Sequence, residues 1–288
     1  MKPAPFEYVR AETIDHVLDL LVEYGSEAKI IAGGQSLVPM MNLRLARPAI
    51  LIDISRTPGL SGIRIDNDAT RIGSTTRHSA VLASAEARHA TPVVVAGLRH
   101  VAHPAIRNRG TVGGSIAHAD PAAELPAIAM ALGADFVVRG PTGQRSVSSE
   151  SFFRGYFETA LADDELLTEI HIPARKPGER AEFVEVARRH GDFALVGAVT
   201  VLKQESGRVE QVRIVVFGVA ATPVRAEEAE AALLGTTLND DEVCSAAATA
   251  AAALAPRGDI HASPQYRRSV AEVLVRRALQ ACRNGASA

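Results

Sequence analysis

An α+β fold in two parts follows from three observations on this chain of 288 residues. Up to residue 172, short apolar runs of strand length alternate with longer runs of helical period. Residues 173–178 concentrate Pro, Gly, Lys and Arg and read as a linker. Beyond them, three strand-like runs precede three helical ones, the order of a sheet covered by helices.

Residues 6–9 predict a strand, and Thr13 caps a helix carrying Val17, Leu18, Leu21 and Val22 that Gly25 ends. A brief strand over 28–31 leads into a glycine pair, a helix over 37–45 stops before Pro48, and 50–54 is again a strand. Further strands are predicted at 63–65, 70–72, 134–139 and 166–172, with helices at 92–101 and 121–132. After the linker, three strands are predicted at 181–187, 194–202 and 209–219, with 205–208 turning the second into the third, and helices at 225–234, 240–254 and 265–282 close the chain.

Composition removes several classes of function. Thirty-one Lys and Arg against 33 Asp and Glu give a net charge of −2, without the basic excess that grips nucleic acid. Aromatic residues make up 4% with no Trp, so no base-stacking platform is expected. No window approaches the ~18 consecutive apolar residues of a membrane span, and Met1-Lys2-Pro3-Ala4-Pro5-Phe6 lacks the core of a secretory signal, which predicts a cytoplasmic protein. Cys244 and Cys282 stand apart in helical runs and read as packing residues; they cannot ligate an iron–sulfur cluster or a usual zinc site from within this chain. Redox chemistry, if present, belongs to an organic cofactor.

Two segments carry chemistry: Ala32-Gly33-Gly34-Gln35-Ser36 and Thr111-Val112-Gly113-Gly114-Ser115. Glycine pairs admit positive φ and close approach of a ligand, and successive amides before a helix form an anion-binding concavity. Two such segments suggest a diphosphate gripped from both sides; the plainer reading is a pair of tight turns. Neither fits G-x-G-x-x-G or G-x-x-x-x-G-K-S/T. His103 and His118 have no acid or nucleophile spaced to support catalysis and read as loop residues bonding the backbone. Arg267, Arg268, Arg276, Arg277 and Arg283 read as the wet face of the last helix, or as a face for docking a partner.

Ala32-Gly33-Gly34-Gln35-Ser36-Leu37, the run from Ile106 through Arg109 to Ser115, and Arg188-Arg189-His190-Gly191-Asp192-Phe193 resemble the flavin-carrying medium subunit of molybdenum hydroxylases. That family includes carbon monoxide dehydrogenase, xanthine dehydrogenase and the bacterial N-heterocycle hydroxylases, and the resemblance spans essentially the whole chain. It implies a vanillyl-alcohol-oxidase-like FAD-binding fold over 1–176, in subdomains of about 1–55 and 56–176, and a C-terminal domain over 177–288 with a three-stranded antiparallel sheet and helices. It also implies non-covalently bound FAD, a large subunit with the molybdopterin cofactor and a small subunit with two 2Fe-2S clusters. The assembly implied is a dimer of heterotrimers, hydroxylating an N-heteroaromatic compound on the large subunit.

Carried over by position, the resemblance assigns the diphosphate to the amides of Ala32, Gly33, Gly34, Gln35, Ser36 and Leu37, with Lys29 and Ile31 leading in. Gly110, Thr111, Gly114 and Ser115 complete the cradle, with Ser115 where many relatives have Asn. Val101, Ala102 and Ile106 become apolar walls, Glu124 a hydrogen-bonding partner, and Leu161, Leu166 and Phe193 further contacts. Phe193 replaces a Tyr of some relatives, and Glu185 a Lys, so Glu185 either repels an anionic reduced flavin or faces solvent. No catalytic acid or base is expected on this chain. The rivals from other classes are a self-sufficient flavin reductase and a cofactor-free binding scaffold.

Overall fold

The computed structural model describes residues 2–285. Its first sheet has the order Glu7–Arg10, Ile50–Asp53, Ala28–Ile31, with both pairings parallel. Parallel neighbours need crossovers. Helix Ile14–Tyr24 makes the first, capped by Thr13 Oγ1 accepting from the His16 amide at 3.0 Å, and it buries Val17, Leu18 and Leu21 against Ile50 and Ile52. The second crossover contains the first glycine pair and helix Leu37–Asn42, so the pair sits at the carboxyl end of strand Ala28–Ile31, where open parallel sheets bind ligands.

The second sheet is antiparallel, ordered Ile63–Ile65, Ala69–Gly73, Leu166–Pro173, Asp135–Gly140, Gly143–Ser148. Phe136, Phe152 and Phe153 meet edge to face at its centre, with ring centroids 4.5–5.8 Å apart. Helices Pro92–His100 and Glu124–Leu132 belong to the same core, which reaches Phe183, Val199 and Phe217 of the third sheet. That third sheet is a meander of Glu179–Ala187, Ala194–Glu205, Arg208–Phe217 and Val224–Arg225. Its Val199 faces the core below, while Ala198 and Leu202 face helices Glu227–Leu233, Asp240–Ala252 and Pro264–Asn284, the period-two alternation of a sheet buried on both sides.

Four of the differences from the sequence reading matter most. The C-terminal sheet has four strands, because Val224 and Arg225 pair with Val216 and Val215 and the helix predicted from 225 starts at Glu227; ion pairs of Arg225 to Glu150 at 2.7 Å and to Glu230 hold the extra strand. Short helices His78–Ala83, Ala85–Ala90, Pro104–Arg107 and Val112–His118 also lie where none was predicted. Cys244 is exposed and does not pack, whereas Cys282 is buried and its thiol is pushed up to about 12.

Arg267 is the fourth. It is 6% exposed, not on a wet face. Its guanidinium donates to the carbonyls of Leu195 and Gly218 and to Asp259 Oδ2 at 2.6 Å, tying the last helix to the ends of two strands. Arg267→Met leaves both carbonyls without this donor, and the expected loss is about 2–4 kcal/mol. An unchanged urea midpoint would refute that role.

Candidate functional site

A cleft of about 530 Å³ lies where the first sheet, the second sheet and residues 191–193 meet, and every residue assigned above to a cofactor lines it. Residues far apart in the chain are thus brought to one wall system: Lys29 and Ile31 at the end of a strand, Glu124 at the start of a helix, Leu161 and Leu166 before and within another strand, Phe193 at the rim.

The two glycine segments touch, and their glycines serve different purposes. A Cβ on Gly33 would overlap the Arg109 carbonyl and stand 3.0 Å from Gly110 Cα, so Gly33 is there for contact between the loops. Arg77 donates to the same Arg109 carbonyl and staples the second loop from behind. Gly34 has φ +71°, the left-handed bend that turns the strand into helix Leu37–Asn42.

Hydrogen bonding separates the loops further. Among the described residues, the amides of Gly33, Gly34, Gln35 and Ser36 find no acceptor, and the Ser36 hydroxyl caps nothing. Partly buried amides without partners are rare in a folded chain, and here several adjoin one cleft. In the second loop the donors are engaged: Gly113 to Ser74 O at 2.8 Å, Gly114 to Thr111 Oγ1 at 3.1 Å, Ser115 to Thr111 O at 3.0 Å. The Thr111 cap makes a helix of Val112–His118 although it contains two glycines. The first loop therefore offers main-chain donors, and the second offers a hydroxyl and a close wall.

That hydroxyl, Ser115 Oγ, lies 3.1 Å from Nε2 of His78, a cleft residue the sequence reading missed. Burial pushes His78 down to about 4, helped by Arg107 and Arg77, so its ring is neutral. No spacing links His78 to the loop; only the fold does. His103 and His118 do not bond the backbone as expected. His103 packs at Gly191, and His118 lies 5.0 Å from the Phe157 ring, its pKa lowered by burial.

Glu124 is 6% exposed, and burial pushes it up to about 8, with Glu185 and Asp120 adding to the effect against its own amide. Glu185 neither lines the cleft nor faces solvent, contrary to both alternatives considered for it: its side chain is 4% exposed and its Oε1 lies 3.0 Å from His100 Nδ1. Phe193 is 62% exposed at the rim, and it forms a wall shared with a second cavity of about 610 Å³ beside Arg267.

Residues 4–175 match the FAD binding domain in molybdopterin dehydrogenase, and residues 181–282 match the CO dehydrogenase flavoprotein C-terminal domain. The chain belongs to the flavin-carrying medium subunits of the carbon monoxide/xanthine dehydrogenase family. This medium subunit is 41% identical to the 6-hydroxypseudooxynicotine dehydrogenase complex subunit alpha of Paenarthrobacter nicotinovorans, over 97% of this chain and 95% of that one. Its fold superposes on carbon monoxide dehydrogenase from Hydrogenophaga pseudoflava with a TM-score of 0.96 at 39% identity, covering 98% of each chain. Quinoline 2-oxidoreductase from Pseudomonas putida 86 gives 0.94 at 35%, covering all of both. The medium subunit is thus part of an oxidoreductase and has an FAD-binding domain. The cleft fits that cofactor, since unspent amides and a free serine hydroxyl suit a diphosphate while Val101, Ile106 and Leu161 suit its apolar ends.

Proposed function

We propose that this chain holds one FAD non-covalently in the cleft between its two glycine loops. In this role it passes electrons from the 2Fe-2S clusters of a small subunit to an external acceptor. The observation that carries the reading is the row of unpartnered amides at Gly33, Gly34, Gln35 and Ser36 opposite the capped loop of Thr111. In the bound state the amides and the Ser36 hydroxyl hold the diphosphate, Lys29 offsets its charge, Val101, Ala102, Ile106, Leu161 and Leu166 exclude water, and Phe193 covers the rim. FAD supplies the exchange between one-electron and two-electron transfer, and the chain supplies position and electrostatics.

The partners in this reading are a large subunit with the molybdopterin cofactor and the small iron–sulfur subunit, in a cytoplasmic dimer of heterotrimers. Support comes from the relatives' names as medium chains and complex subunits. The division into 1–176 and 177–288 is favoured by strand pairing, which never crosses it. An N-heteroaromatic substrate for the large subunit is favoured by relatives named for quinoline and for a hydroxylated pseudooxynicotine.

The purified chain is expected to take up FAD at one per chain and turn yellow. Co-expressed with both partner subunits it is expected to elute with them on gel filtration. A chain that stays colourless in excess FAD would end this reading.

A further inference from the structure

We propose that Glu124, Glu185 and His100 form a proton path between the flavin cleft and solvent; the proposal rests on the FAD reading above. Helices Pro92–His100 and Glu124–Leu132 pack on each other, and the first also packs on strand Glu179–Ala187. The three elements meet at Gly97, where Ile128 and the Phe183 ring close in, and His100, Glu124 and Glu185 each lie within about a turn of that point along their own element. Glu124 lines the cleft. Glu185, on the strand that packs against the helix ending at His100, adds to the upward shift of Glu124. His100 ends its helix with Nδ1 3.0 Å from Glu185 Oε1 and a side chain 41% exposed, so its ring reaches water. The His190 ring stacks beside it at 6.3 Å.

Two features of this junction point to proton movement. The second carboxylate oxygen of Glu185, Oε2, is buried with no partner, a state that ordinarily costs free energy and calls for an explanation. A carboxylate that takes up and releases a proton needs such a free oxygen. Glu124, in turn, is a carboxyl held protonated at neutral pH by burial, beside Glu185 and Asp120, which makes it a proton donor facing the cleft.

Other titratable groups on the cleft wall are less suited. His78 is buried, and burial lowers His118. Glu165 is bound to Arg145, which holds it below the usual carboxylate range, and Asp120 accepts from the Ala122 amide at 2.9 Å.

Each electron pair that reaches the cleft from the partner's iron–sulfur clusters is balanced by at least one proton. Glu124 gives that proton up; His100 takes one from water and passes it to the Glu185 carboxylate, and Glu185 hands it on to Glu124, which leaves Glu185 ionised as before. Departure of the pair to the external acceptor runs the same transfers backwards, and no residue is changed at the end.

The test uses the full chain loaded with FAD and reduced by methyl viologen radical, which brings electrons without protons. A pH-indicator dye follows proton uptake from bulk water. His100→Ala should load FAD as the parent does and take up protons about tenfold more slowly or worse, with added imidazole restoring the rate. Glu185→Gln should be as slow and should not respond to imidazole. In the FAD-free chain, the infrared band of a protonated carboxyl should be present at neutral pH and vanish in Glu124→Gln. Uptake at the parental rate in either slow-expected variant, a slow His100→Ala that imidazole leaves slow, or a carboxyl band that persists in Glu124→Gln overturns the path; should His100→Ala lose FAD, His100→Gln takes its place. Failure of the parent chain to load FAD overturns the cofactor reading itself, before any variant is compared.

Discussion

Gly33→Val yields a folded chain that no longer retains FAD. The new Cβ would coincide with the Arg109 carbonyl and press on Gly110 Cα at 3.0 Å, and both obstacles are backbone that cannot swing aside. The first loop must therefore retreat from the second and carry its unpartnered amides with it. Losing two hydrogen bonds to a charged diphosphate costs about 3–6 kcal/mol, which weakens binding by roughly 10²- to 10⁴-fold. Gly34→Ala is the control. Its strain comes from φ +71°, and the atoms it would meet at 3.2 and 3.3 Å are the flexible ends of Ile31 and Val38, so affinity should fall by only about 1–2 kcal/mol. Flavin absorbance per chain after gel filtration, with circular dichroism to verify folding, checks both. Stoichiometric FAD on Gly33→Val would show that the contact between the loops is irrelevant to binding.

The FAD-free chain should be most stable between pH 4.5 and 6.5 and lose stability toward pH 8. Glu124 titrates at about 8 in the fold and at 4.5 when unfolded, so above pH 4.5 the unfolded chain sheds a proton that the native chain keeps. Its contribution is fully present below 4.5 and is lost as pH rises through 8, at about 1.4 kcal/mol per pH unit and about 5 kcal/mol in all. His78 works in the other direction. Neutral in the fold down to about 4 but protonated below 6.5 when unfolded, it contributes stability above 6.5 that is lost as pH falls, about 3 kcal/mol in all. Between 4.5 and 6.5 the two slopes cancel. Glu124→Gln removes the alkaline slope, so its urea midpoint should rise relative to the parent as pH goes from 6.5 to 8. Midpoints that run parallel over that range would contradict the burial assigned to Glu124.

Both glycine loops were legible because a bend that needs glycine is written in consecutive residues, whereas Glu124, Leu161, Leu166 and Phe193 were placed only by the family resemblance. Gly34 needs positive φ whatever surrounds it, and Thr13 caps its helix through an amide three residues on. The strands of the third sheet were legible as well, since 194–202 is a near-continuous apolar run, as a strand covered on both faces requires. Less visible were elements that depend on distant partners. Helix Val112–His118 holds two poor helix formers and forms with Val112 donating to Thr76 O and Gly113 to Ser74 O. The fourth strand at Val224–Arg225 exists because Glu150 and Glu230 hold Arg225.

Local chemistry, then, determined the two glycine bends, the α+β character and the lack of cysteine spacing suited to a cluster, because each depends on backbone freedom or residue type at neighbouring positions. Tertiary structure decided which charged groups leave water. Arg267 looked like a solvated residue and is a buried tie, Glu185 looked like a cleft or surface residue and lies buried against His100, and His78 gave no sign of its place beneath Ser115. Burial of a charge depends on what packs over it from remote parts of the chain, and no pattern within one segment records that.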